Sequence, residues 1–155
     1  MQTSFDHILV PVDFTEKNAA AIAVAKRLAV QSSARVSLLH VIESLEDAGD
    51  DDEIQKFMER MEAKSSQNLQ QLLEQFADSD LEVTSATMIN HRSKGIVLYA
   101  IDHAVDLIVM GSHPIDPAAI RDSWATISYQ VSLLCPCSIL LIKPTNEIDV
   151  RRQVE

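Results

Sequence analysis

Asp13 is the residue from which a chemical reading of this chain begins. It follows Ile8-Leu9-Val10-Pro11-Val12, a short apolar run of the kind that forms a strand buried on both faces. A carboxylate at the carboxyl end of such a strand stands where ligands collect in an open α/β sheet. Leu107-Ile108-Val109-Met110 repeats the pattern and ends at Gly111, and glycine lets backbone approach a ligand closely. Two such ends side by side would form a topological switch point. Other candidates carry less. Cys135 and Cys137 are separated by one residue; a bridge between them would close a small, strained ring, so they read as reduced structural thiols. His7, His40, His91, His103 and His113 lack metal-ligand spacing, and His40, inside an apolar strand, reads as a satisfied core residue. With no nucleophile elbow, Walker loop or paired catalytic carboxylates, the expectation is binding without turnover.

The elements that must position these residues alternate strand and helix, the pattern of a parallel sheet covered on both faces. After the first strand, Thr15 is placed to cap a helix to about Gln31, whose face of Ala20, Ala21, Val24, Ala25 and Leu28 allows close approach to a sheet. Ser32-Ser33 ends it, and Val36 to Val41 reads as strand two. Ile54, Phe57, Met58, Met61, Leu69, Leu72, Leu73 and Phe76 recur at three- and four-residue steps and predict a second helix with that stripe in the core. Leu81 to Thr84 alternates apolar and polar ahead of Ser85 to Ile89, as a half-exposed edge strand does. Ser93 is placed to cap a third helix through Ala104, Asp106 to Met110 forms strand four, and a Pro-containing loop spans Gly111 to Asp122. Trp124, Ile127, Val131 and Leu134 form the stripe of a fourth helix capped by Asp122 or Ser123. Ser138 to Ile142 is strand five. A domain over residues 1–144 and a polar tail over 145–155 are the expected division, with no internal repeat.

At 155 residues and 46% hydrophobic content the chain can bury a full core. Its formal net charge of −10 argues against nucleic acid or an anionic membrane as partner. The acidic run from Glu43 to Glu53 reads as a solvated loop. No apolar stretch reaches the roughly twenty residues of a membrane span, and the start of the chain lacks signal-peptide character, so a cytoplasmic location is expected.

Four segments resemble the universal stress protein family: ILVPVDFTEKNAAAIAVAKRLA (Ile8 to Ala29), VSLLHVIE (Val36 to Glu43), AVDLIVMGSH (Ala104 to His113) and CPCSILLIK (Cys135 to Lys143). The resemblance implies a five-stranded parallel sheet of order 3-2-1-4-5 with helices on both faces. It implies that strands one and four meet at a site where some members bind ATP. Carried over by position, Val12 and Asp13 would flank adenine and ribose, and the Val41 backbone would read the adenine edge. Met110 and Gly111 would open the phosphate loop, and Thr126 would set its hydroxyl beside the phosphates. It further implies a homodimer joined through Ser138–Ile142.

Binding members use a loop of the form G-x-x-G-x9-G-[S/T]. Here only Gly111 remains; Pro114 and Ala125 take the other glycine positions, and the loop is one residue longer. Proline supplies no N–H to a phosphate cradle. Pro117 stiffens the loop, and Asp116 and Asp122 add like charge with His113 and Arg121 to offset it. The expected function is a dimeric stress-response binding and interaction module with weak or no ATP binding, ATP or AMP remaining the candidate ligands. The alternative is an ATP- or AMP-binding member with slow ATPase activity. Asp13 has a competing structural reading as a helix cap, and for Thr126 a purely structural role is the favoured one. Leu141-Ile142-Lys143-Pro144 superficially resembles the final strand of receiver domains. Those need an acidic pair after strand one and an Asp ending strand three, whereas Asp13 stands alone and Thr87-Met88-Ile89 carries no acid.

Overall fold

The computed structural model describes residues 4–45, 49, 51–112 and 126–143. Alternation along the chain yields β1 (His7–Pro11), α1 (Lys17–Ser32), β2 (Arg35–Glu43), α2 (Asp52–Leu73) with a 3-10 turn at Glu74–Phe76, β3 (Val83–Asn90), α3 (Arg92–Asp102), β4 (Leu107–Gly111), α4 (Ile127–Leu134) and β5 (Ser138–Ile142). The strands form one sheet of order β3-β2-β1-β4-β5, all neighbours parallel. Among the described residues no helix is long and apolar enough to cross a membrane.

Side chains of period two sort the central strands onto two cores. Ile8, Val10, Val36, Leu38, Leu107 and Val109 pack with α1 and the end of α2, while Leu9, Leu39, Val41, Ile108 and Met110 pack with α3 and Val131 of α4. Each such fully buried aliphatic contributes on the order of 1.5–3 kcal/mol. The helices come close because small residues let them. Ala21, Ala25 and Ala29 of α1 are buried, and α3 sets Gly95 where an added Cβ would lie 2.9 Å from Val41 Cγ1.

Several boundaries differ from the sequence expectation. Thr15 does not cap α1, which begins at Lys17 with no side-chain cap; the Thr15 hydroxyl donates to Asp13 instead. Ser93 lies inside α3, whose first N–H, that of Arg92, is taken 3.2 Å away by Glu43 at the end of β2. Glu43 is therefore strand and cap, not loop. Asp52 and Glu53 open α2 behind Asp51 as its cap. Asp122, Ser123 and Trp124 lie outside the described residues, and the cap of α4 is Thr126. Leu134 leaves the predicted stripe, 63% exposed, because the eight-residue helix ends there and Cys135 takes the inward position. In α2 the stripe is core only toward its end, at Leu69 and Phe76; Phe57 is 44% exposed.

The amino-terminal edge of the sheet is tied by side chains. Asp106 accepts the N–H groups of Asp6 and His7 at 2.8 and 3.0 Å, clasping β1 to β4. Buried His7 donates from Nδ1 to the His103 carbonyl at 2.9 Å and receives the Ser37 hydroxyl at Nε2 at 2.7 Å. Burial, with Arg35 and His103 nearby, lowers the His7 pKa from its ordinary 6.5, against the hydrogen bond to His103, which raises it. The unfolded chain then binds the extra proton first, so this contribution to stability is complete above pH 6.5 and is lost as pH falls below it. The thermal midpoint should fall between about pH 7.5 and about pH 5. In His7→Gln, which keeps a donor and an acceptor without titrating, that slope should flatten; calorimetric scans at stepped pH measure it.

Candidate functional site

A missing donor opens the site. The Val12 N–H reaches the Leu39 carbonyl on β2, and the Asp106 N–H reaches the His7 carbonyl from the β4 side. Even-numbered residues of β1 therefore face β2, and odd-numbered ones face β4. Pro11 faces β4 and has no N–H to give it. Pairing with β2 runs on to Pro11↔Leu39, but pairing with β4 ends at Leu9↔Ile108. The two central strands part at their carboxyl ends, where the strand order reverses, and a cavity of about 310 Å³ lies between them.

Residues expected from the sequence meet there. Val12, Asp13, Val41, Met110, Gly111 and Thr126 all line the cavity. Val12, Val41 and Met110 are buried and make its apolar floor, while Asp13 is exposed at the rim. Asp13 Oδ1 accepts the Thr15 hydroxyl at 2.6 Å and the Thr15 N–H at 3.0 Å, and the Asp13 N–H donates to buried Asn18. Desolvation pushes the Asp13 carboxyl up, yet the Thr15 hydrogen bonds, with Lys17 nearby, hold it below its ordinary value. It is an anion that also builds the turn. Phe14 completes that turn at φ 62°, a strained conformation for a bulky residue, with its ring 4.5 Å from that of His40.

Gly111 is required for closeness, not for positive φ: a Cβ there would stand 3.0 Å from the Lys17 carbonyl. Thr126 combines both of its readings, since Oγ1 accepts the Tyr129 N–H at 3.3 Å as the α4 cap while the residue faces the cavity. His40 is satisfied as expected, its Nδ1–H donating to the Val12 carbonyl at 2.8 Å. It stands half-buried in the cavity wall, however, not within the core.

Sequence reasoning missed Lys17, Asn18, Arg92, Ile96, Ile127 and Ser128, which also line the cavity. No local signal marks Arg92, which arrives from the start of α3, where Glu43 accepts its N–H and lies with an Nε to Oε2 separation of 3.8 Å. The loop residues His113, Pro114, Asp116, Pro117, Arg121, Asp122 and Ala125 lie outside the described residues. Cys135 and Cys137 are free, their Sγ atoms 3.3 Å apart and away from the cavity lining. Burial, reinforced by the Cys135 contact, pushes the Cys137 thiol up to about 12, which keeps it protonated and unreactive. Among the described residues no group of three His, Cys, Asp or Glu could hold a metal.

Comparison with known proteins agrees with this geometry. The model of the Universal stress protein family matches residues 4–143. The universal stress protein UspA from Lactobacillus plantarum superposes with a TM-score of 0.72 at 22% identity, over 91% of this chain and 99% of that one. A universal stress protein in complex with cAMP superposes at 0.67 with 10% identity, covering 90% and 98% of the two chains. One from Archaeoglobus fulgidus in complex with dAMP does so at 0.65 with 17% identity, covering 89% and 98%. No curated protein sequence matches the chain.

Gly111→Ala should force α1 away from β4 and cost about 1 kcal/mol of stability, with Gly111→Val costing more. Urea unfolding followed by circular dichroism would read the ordered loss; an alanine variant as stable as the parent would contradict the close packing.

Proposed function

Because this chain belongs to the universal stress protein family, we propose that it is a dimeric binding module of the stress response that takes an adenosine-type ligand at the β1–β4 crevice and makes little use of a triphosphate. The observation that carries this reading is the gathering of Val12, Asp13, Val41, Met110, Gly111 and Thr126 around one cavity. Its floor is apolar and suits a base, and its rim carries an ionised carboxylate suited to ribose hydroxyls. Beyond Gly111 the loop sequence has Pro114 and Ala125 in place of glycines, with Asp116 and Asp122 adding charge of the wrong sign. The nucleotides named with two similar structures, cAMP and dAMP, carry a single phosphate.

Calorimetry with ATP, AMP and adenosine on nucleotide-free protein tests this reading. AMP and adenosine should bind about as well as ATP. Each absent charge-assisted bond to phosphate is worth on the order of 1.5–3 kcal/mol, so two would forgo about a hundredfold or more. ATP binding clearly tighter than AMP, and lost in Thr126→Ala, would overturn it.

The working unit is a homodimer joined through β5. That strand pairs with β4 alone among the described strands, leaving its other edge open. Leu140 is 38% exposed on it, and Leu133 and Leu134 of the preceding helix are 67% and 63% exposed. The Ile142 carbonyl accepts the Ser112 N–H on the β4 side, so the N–H groups of Ile139 and Leu141 face outward. Proline at either position removes an outward donor without breaking the inner ladder. Native mass spectrometry at micromolar concentration should give a dimer, and Ile139→Pro or Leu141→Pro a folded monomer. A monomeric parent, or a dimer that survives both changes, would refute the arrangement.

A further inference from the structure

We propose that the crevice continues across the end of β2 into a second groove with one apolar wall, and that the ligand is a purine nucleoside whose six-position amine carries an apolar substituent; this rests on the adenosine reading above. The bonding parity of β2 supplies the first step. Val36 and Ser44 direct their N–H groups to carbonyls on the β3 side, while the Leu39 carbonyl takes the Val12 N–H on the β1 side. Val41 therefore turns its N–H and carbonyl toward β1, two residues beyond the last β1–β2 pair, Pro11↔Leu39. They face the crevice. An adjacent amide donor and acceptor match the ring nitrogen and amine of an aminopurine edge. One amine hydrogen is used there, and the other position points past Val41.

What lies past Val41 is a groove of about 570 Å³. It shares Asp13, His40, Val41 and Arg92 with the crevice, so the two are continuous over the strand end. Leu45, just past the end of β2, and Phe57, Met58 and Met61 of α2 make its apolar wall, and Lys64, Ser65 and Asn68 of α2 with Glu43 make its polar side. These α2 residues belong to the stripe that the sequence assigns to the core, yet Phe57 and Leu45 remain 44% and 42% exposed. Methionine and phenylalanine side chains adapt to a flat or branched apolar group. An apolar substituent on the amine would cover the part of α2 that the fold leaves open.

Calorimetry on the full chain with adenosine and N6-benzyladenosine tests this. The benzyl compound should bind at least about tenfold tighter, a modest share of what burying a ring yields. Phe57→Ala, at a half-exposed position outside both cores, and Phe57→Ala with Met61→Ala should each erode that gain while adenosine binding stays within about twofold. Adenosine binding with the benzyl compound equal or weaker would overturn the groove and leave the adenosine reading standing. A benzyl gain untouched by both variants would place the substituent elsewhere and also overturn it, as would variants that lose the dimer without changing either affinity. Binding of neither compound would end both readings.

Discussion

The site depends on one absent hydrogen bond. Pro11 lies on the edge of β1 that faces β4, and without an N–H it cannot extend a ladder that ends at Leu9↔Ile108. On the opposite edge of the same strand, pairing runs to Pro11↔Leu39. β1 therefore stays with β2 and parts from β4, at the place in the sheet where the direction of winding reverses. A residue with an N–H at position 11 would offer β4 one more donor at this end of the strand.

A crevice opened in this way must be held open by rigid walls. Close packing supplies them, at positions where a single methyl group matters. Gly111 lets the start of α1 approach β4, and Gly95 lets α3 approach Val41 and Met88. The turn that carries Asp13 is closed by Thr15 and Asn18 and strained at Phe14. On the far edge of the sheet, Asp106 and His7 tie β1 to its neighbours through buried polar bonds. Opening at one end of β1 is thus matched by cross-linking at the other.

Charge organises the rim differently from the floor. Asp13 is held ionised by local hydrogen bonds, and Arg92 is brought in by Glu43, which also bonds His91. At these exposures such pairs contribute orientation more than stability. They place charge at the rim of a cavity whose floor is apolar.

Much of this was legible in the residues. Apolar runs ending at Asp13 and Gly111 located the two central strands, because burial on both faces demands uninterrupted apolar sequence, and Ser138–Ile142 was bounded correctly between Pro136-Cys137 and Lys143-Pro144. The strand order and the cavity positions of Val41 and Thr126 came through family resemblance, since periodicity does not say which strands lie side by side. Helix starts were the weakest reading. Thr15 and Ser93 are good caps by type, yet capping is worth only about 1 kcal/mol, and the tertiary fold gave Thr15 to Asp13 and the start of α3 to Glu43. The stripe of α2 announced an amphipathic helix without saying that its first turns would have no core to meet. Arg92 and Lys17 reach the crevice from helices far apart in the chain. The sequence alone determined which faces are apolar and where strands end, because those follow from local stereochemistry and burial. Which of those faces meet, and which is left uncovered, was decided by packing between distant segments.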